Sequence, residues 1–131
     1  MWNIFKRKEK PSESERNLKL AQSLVFDLNE VFAARREGNY FISGRRKTEE
    51  TFLAIKTANY SLKVLELAKR FANSQKNQYK KTKSTMVQFE DFVIYGEIVE
   101  DYEKTEATIS EMIKSKYPEY KYIDMNENSI V

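Results

Sequence analysis

The chain has 131 residues, of which 40% are hydrophobic and 33% are charged, and its formal net charge is +3. This length and apolar content favour one globular domain with a single core. Cysteine and histidine are both absent, which excludes disulfides, thiolate nucleophiles, histidine general bases and the usual transition-metal sites. We therefore expect no metal and no cofactor.

The expected fold is mainly α-helical. Three glycines and two prolines are fewer turn formers than an all-β protein needs. The sequence predicts a bundle of three or four helices at residues 12–118, between an N-terminal arm at 1–11 and a partly ordered C-terminal tail at 119–131. No apolar stretch approaches the roughly 20 residues of a membrane-spanning helix, and the apolar start is too short for a secretory signal. The expected location is the cytoplasm, with peripheral attachment to a membrane as the alternative.

The N-terminal arm combines apolar and basic side chains ahead of Pro11. These side chains are Trp2, Ile4 and Phe5, followed by Lys6, Arg7, Lys8 and Lys10. Such a segment can insert into the surface of an anionic membrane, where the cations meet lipid headgroups. It can equally pack on the bundle or on another subunit, and the sequence leaves both alternatives open.

The first helix is predicted to begin after Ser12, because Glu15 three residues later completes the spacing of a capping box. Apolar residues then recur at steps of three and four, so one face of the helix is apolar. Gly38 favours the left-handed conformation that ends a helix. Phe26 projects from the polar side, and it either contacts a neighbouring segment or contacts a partner.

The loop after Gly38 ends with three consecutive cations, Arg45, Arg46 and Lys47. A second helix is predicted at 49–72. Its polar residues fall on one narrow stripe and the rest of its surface is apolar or small, so it must be covered on several sides. We therefore place this helix at the centre of the bundle, and we expect the cationic loop to contribute to partner binding more than to stability.

The second half of the chain is less regular. Residues 73–84 are polar and basic without apolar periodicity, which predicts a loop or a frayed helix end. Residues 86–95 fit either a strand or a helix, and we favour the helix. A further helix follows and ends before Pro118, but its apolar face is rotated by about half a turn from that of residues 86–95. A kink at Gly96 or a break near Thr105 would reconcile the two faces.

Charge is segregated along the chain. Residues 1–85 contain 19 Lys+Arg and 9 Asp+Glu, a net charge of +10, whereas residues 86–131 contain 4 and 11, a net charge of −7. This asymmetry favours an electrostatically guided partner. The alternative is that acidic and basic elements neutralise each other within one bundle or between subunits. The candidate partner contacts are Arg45, Arg46, Lys47, Lys76, Lys80, Lys81, Lys83 and Phe26.

The preferred functional prediction is a non-enzymatic protein–protein interaction module, a small accessory, adaptor or inhibitor protein that binds a protein partner or a second copy of itself. The richness in Lys, Asn, Ile, Tyr and Glu is typical of AT-rich bacterial or phage genomes, which suggests a phage or mobile element as the source. The alternative is binding of nucleic acid or of an anionic membrane surface through the basic N-terminal two-thirds.

A catalytic alternative would use two pairs of helical carboxylates, Asp27 with Glu30 and Glu97 with Glu100, to hold Mg²⁺ for phosphate chemistry. Their positions on the helical wheel place them away from the apolar faces of their helices, so they are predicted to face solvent rather than each other. We therefore expect the protein to have no enzymatic activity, and nothing in the sequence indicates a small-molecule substrate.

Overall fold

The computed structural model describes residues 12–119. The two short strands of this part of the chain pair antiparallel, with Phe41 opposite Lys47 and Ile42 opposite Arg46. The helices and strands, in chain order, are α1 (Glu13–Glu37), β1 (Phe41–Ile42), β2 (Arg46–Lys47), α2 (Thr48–Thr57), α3 (Leu62–Lys83) and α4 (Phe89–Lys116). The prediction of a mainly α-helical small bundle is thus confirmed.

α1 begins and ends where the sequence predicts. The Ser12 hydroxyl accepts a hydrogen bond from the backbone N–H of Glu15 at 3.2 Å, and the Glu15 carboxylate accepts one from the backbone N–H of Ser12 at 3.0 Å. This capping box satisfies two backbone donors that the first helical turn leaves free. At the other end Gly38 has a φ of 73°, which closes the helix and turns the chain towards β1.

The helix predicted at 49–72 is two helices in the structure, α2 and α3, separated by residues 58–61. Ala58 has an extended backbone, with φ −67° and ψ 153°. The Ser61 hydroxyl then accepts a hydrogen bond from the Val64 N–H at 3.2 Å, which makes Ser61 the N-cap of a new helix. The nearly all-round apolar pattern of 49–72 therefore combines two helices that face different neighbours.

α3 occupies the centre of the bundle, whereas α2 lies at its periphery. Leu65 and Ala68 of α3 are fully buried in the core formed with α1 and α4. In α2 the buried residues are Thr48 and Ile55, and Leu53 is 62% exposed. The central position predicted for the second helix therefore belongs to its C-terminal half.

The prediction of a loop or frayed end at 73–84 is wrong, because α3 continues to Lys83. Polar and aromatic side chains hold this stretch against α4. The Tyr79 ring stacks on the Tyr102 ring, with centroids 5.6 Å apart and planes 19° from parallel. Because such contacts replace aliphatic ones, the spacing of apolar residues does not reveal the helix.

α4 runs as one helix through both Gly96 and Thr105. The helical alternative for this region is therefore right from Phe89 onward, and the predicted break is wrong. One straight helix can carry both apolar faces, because only the second one lies in the core: the buried residues of α4 begin at Val99. The residues of α4 before Val99 contribute no buried side chain, although Ile98 packs against the edge of the core.

α3 and α4 form an antiparallel pair. At one end, Lys116 and Tyr117 donate hydrogen bonds to the backbone carbonyls of Ala58 and Tyr60, just before α3. At the other end, the Lys83 side chain lies beside Gly96. The turn at residues 84–88 joins the two helices, and the first turns of α4 stand at this end of the bundle.

Candidate interaction surfaces

The predicted cationic loop lies at the tip of the β1–β2 hairpin. Gly44 and Arg45 have φ values of 72° and 64°, and this left-handed backbone lets three residues join the two strands. The Arg45 side chain is exposed and forms no ion pair within the described part of the chain. The charge of Arg45 is therefore not neutralised by a carboxylate of residues 12–119.

Arg46 is held by carboxylates of α1. Its guanidinium lies 3.3 Å from a Glu30 oxygen and 3.5 Å from an Asp27 oxygen. The hydroxyl and backbone N–H of Ser43 also donate to Glu30, at 2.5 and 3.3 Å. Asp27 and Glu30, which the sequence offered as metal ligands, thus fasten the hairpin to α1. The Lys47 ammonium lies 3.7 Å from a carboxylate oxygen of Glu50.

Arg35 fastens α2 to α1 next to this hairpin. Its guanidinium donates two hydrogen bonds to the Glu49 carboxylate, at 2.9 and 2.6 Å, and lies 4.2 Å from the centroid of the Phe52 ring. The hydrogen bond from Arg35 lowers the pKa of Glu49 below its ordinary value.

We expect Glu49→Gln to lower the free energy of unfolding by up to about 1 kcal/mol at neutral pH, because this ion pair is exposed. The folded-state pKa of Glu49 is lowered, so its stabilisation is fully present above the ordinary glutamate pKa of about 4.3 and is lost as the pH falls through the lower folded value. Urea unfolding at pH 7 and pH 3 should show the difference shrinking at pH 3. Glu50→Gln is the matched control with a smaller effect, and a Glu49→Gln difference that persists at pH 3 would contradict the prediction.

Arg36 links α1 to α4. Its guanidinium lies 2.6 Å from an Asp101 oxygen and 3.3 Å from a Glu97 oxygen. The Asp101 side chain is only 3% exposed. The hydrogen bond that Arg36 donates to Asp101 raises the pKa of Arg36 above its ordinary value. Glu97 is thus engaged by a cation, while Glu100 is exposed. Within residues 12–119 no group of three or more potential ligands is arranged to hold a metal ion.

Two further predicted basic contacts, Lys76 and Lys83, are also used within the protein. The Lys76 ammonium lies 2.8 Å from Glu106, and both side chains are 14% exposed. The Lys83 ammonium lies 4.6 Å from the centroid of the Phe92 ring, a cation–π contact. Lys76 in particular binds α4 rather than presenting its charge to solvent.

The remaining predicted contacts have different surroundings. Phe26 packs edge-on against Phe71, with ring centroids 5.4 Å apart, and is half-exposed. Lys80 and Lys81 are exposed and form no ion pair with the described residues. The predicted arm residues lie outside the described residues, as does the predicted tail except for its first residue; those of the arm are Trp2, Ile4, Phe5, Lys6, Arg7 and Lys8.

The start of α4 exposes a group of large apolar side chains that the sequence analysis missed. The exposed fraction reaches 78% at Phe89 and 92% at Val87, just before the helix. We call this group the α4 tip, and it consists of Val87, Phe89, Phe92, Val93 and Ile94. One feature of the sequence could have revealed it: the apolar face of residues 86–95 is rotated by about half a turn from that of the following residues. Apolar side chains rotated in this way within one helix do not face the core.

Two open clefts flank the β hairpin, with volumes of about 590 and 620 Å³. The first includes Arg46 and Tyr60, and the second includes Arg35, Tyr40 and Phe41. Burial raises the pKa of Tyr60. Arg46 and Arg35 are already bound to carboxylates of the chain, whereas Arg45, which also lines the first cleft, is bound to none within residues 12–119.

The chain matches no protein-family model, no curated protein and no solved structure. Within residues 12–119, none of the helices combines the length and the apolar character that crossing a bilayer requires.

Proposed function

We propose that the protein is a non-enzymatic protein–protein interaction module and that the α4 tip is its binding surface. The observation that supports this is the exposure of five apolar side chains within eight consecutive residues, 87–94. Removing apolar surface from water is favourable by about 25 cal/mol per Å². Phe89, Phe92 and Val93 lie on one side of α4, and adjacent exposed apolar residues are typical of a binding surface, whereas scattered ones are not.

The charges around the tip favour protein as the partner. Lys80 and Lys81 lie near the end of α3, while Glu90 and Asp91 lie in the first turn of α4. A nucleic acid or an anionic membrane would meet the cations favourably, but the carboxylates would repel its phosphates. A protein surface can carry both signs and complement both groups.

The rest of the bundle would then act as a support. The hairpin and the first helix are joined by ion pairs, and α3 holds α4 through the Tyr79–Tyr102 stack and the Lys76–Glu106 ion pair. A rigid helical pair that presents a small apolar surface suits an accessory, adaptor or inhibitor protein, whose role is to bind rather than to catalyse.

The test places a photo-crosslinker, p-benzoylphenylalanine, at Val93 in the cell that produces the protein. We expect discrete adducts with protein, and we expect Phe89→Ser in the same chain to abolish them. Because Phe89 is 78% exposed, its replacement should leave the melting temperature within a few degrees, so loss of adducts would report loss of binding.

The matched control places the crosslinker at Ala107, which is exposed on the same helix but far from the tip. Equal adducts from Val93 and Ala107 would mean that the tip is not a specific surface. Adducts formed only with RNA, DNA or lipid would contradict the proposal and favour the alternative class of partner.

A further inference from the structure

We infer that the α4 tip binds the N-terminal arm of a second copy of this chain, so that copies associate head to tail. The inference rests on the proposed function of the tip and names the partner. It draws on three observations: the order of apolar and charged residues on α4, the same order in the arm, and the distance between the arm's attachment point and the tip.

The exposed side of α4 changes from apolar to acidic along its length. Val93 follows Phe89 by four residues and Glu100 follows Val93 by seven, so all three lie on one side of the helix. Glu103 lies close to this line and extends its acidic part. Glu100 and Glu103 are exposed and have no ion-pair partner within residues 12–119.

The arm has the complementary order. Its apolar residues come first, and its cations follow within the next five positions; in sequence order they are Trp2, Ile4, Phe5, Lys6, Arg7, Lys8 and Lys10. An apolar group set on the tip would therefore bring the cations towards the unpaired carboxylates of α4. The apolar contact contributes affinity, and the charges favour one direction of binding.

The attachment point of the arm lies at the far end of the bundle from the tip. Arg36, near the end of α1, binds Asp101, and the neighbouring Tyr102 stacks on Tyr79 of α3. Ten residues earlier in α1, Phe26 packs on Phe71, which lies eight residues before Tyr79 in α3. Moving back along α1 thus means moving back along α3, away from the turn that joins α3 to α4. Ser12 is therefore on the side opposite the tip.

The distance excludes docking of the arm within one molecule. Ser12 precedes Arg36 by 24 residues, which is about 36 Å of helix, and Phe89 precedes Glu97 by eight residues, about 12 Å more. The sum is about 48 Å. Trp2, the apolar residue of the arm farthest from Ser12, precedes it by ten residues and spans at most about 36 Å even when fully extended, which is shorter than this distance. An arm that reaches the tip must belong to another copy.

Such an interface is heterologous, because the arm of one copy meets the tip of the next and leaves one arm and one tip free. Association should therefore continue beyond the dimer, and added salt should weaken it because exposed charges contribute.

The test uses full-length chains in sedimentation equilibrium. The arm variant is Trp2→Ser/Phe5→Ser, and the tip variant is Phe89→Ser/Val93→Ser. We expect the mass of the unmodified protein to rise above the monomer with concentration, and each variant alone to stay monomeric. An equimolar mixture of the two variants should form a 1:1 dimer and stop there, because one intact arm and one intact tip remain.

The charge contribution is tested separately. Glu100→Gln/Glu103→Gln should weaken self-association about fivefold, since exposed ion pairs contribute up to about 1 kcal/mol. Glu111→Gln, which changes the same charge farther along α4, is the matched control and should change it little. Equal weakening by both variants would contradict the assigned direction of the arm.

The outcomes separate this inference from the proposed function. A protein that stays monomeric at all concentrations overturns the head-to-tail inference, while protein adducts at Val93 with another partner would still support the interaction module. Self-association that survives in the arm variant indicates tip-to-tip pairing and also overturns the inference. Absence of protein adducts at Val93 counts against the proposed function itself.

Discussion

Leu65→Ala is expected to lower the free energy of unfolding by about 2 to 5 kcal/mol. Leu65 is fully buried in α3 and belongs to the core that α1, α3 and α4 share. Removing three carbon atoms there loses the transfer free energy of the side chain and leaves a cavity that the neighbouring helices fill only in part. Urea unfolding followed by circular dichroism measures the change.

Leu53→Ala is the control, because it makes the same change in α2, where Leu53 is 62% exposed. We expect its effect to stay below about 1 kcal/mol. The comparison also tests which part of the predicted second helix is central. Equal losses at the two positions would mean that α2 is as deeply packed as α3, contrary to the structure.

Asp101→Ala is expected to destabilise the protein by about 2 to 4 kcal/mol, because it leaves the guanidinium of Arg36 without its closest carboxylate. The Asp101 side chain is 3% exposed and that of Arg36 is 24% exposed. The effect should lie at the lower end of the range for buried pairs, since Arg36 keeps contact with water and with Glu97. Thermal and urea unfolding measure it.

A double-mutant cycle provides the control. Arg36→Ala/Asp101→Ala should cost less than the sum of the two single changes, because the second substitution removes the charge that the first leaves unpaired. Additive losses would show that the two residues stabilise the bundle independently. Glu97→Gln, at 3.3 Å from Arg36, should cost much less than Asp101→Ala.

Local signals in the sequence identified the ends of α1 and the helical class of the fold. Ser12 with Glu15, and Gly38, act through their own backbone neighbours, so their effect does not depend on distant parts of the chain. The break between α2 and α3 was not predictable in this way, because residues 58–61 contain neither glycine nor proline. A serine cap inside an apolar pattern is a weak signal when the helices on both sides are amphipathic.

Pairing across long sequence separations explains most of what the sequence analysis missed. The charge segregation indicated attraction between the two halves of the chain, but only the fold shows that Arg36 and Lys76 bind carboxylates of α4. For these two cations, the alternative that acidic and basic elements neutralise each other within one bundle is therefore the correct one. The sequence did not predict the α4 tip, because the rotation of the apolar face was interpreted as a kink or break in the helix and not as exposure of residues 87–94.

The pairing of α1 and α3 with α4 also bears on the order of synthesis. α4 follows α1, α2 and α3 along the chain, and until it leaves the ribosome, residues 1–85 hold a net charge of +10 with Arg36 and Lys76 lacking their carboxylates. The core lacks the side chains of α4 at that stage, so it cannot be completed until α4 has emerged. During this interval the nascent chain is strongly cationic, and the emergence of α4 completes the core and offsets part of that charge, because residues 86–131 carry a net charge of −7.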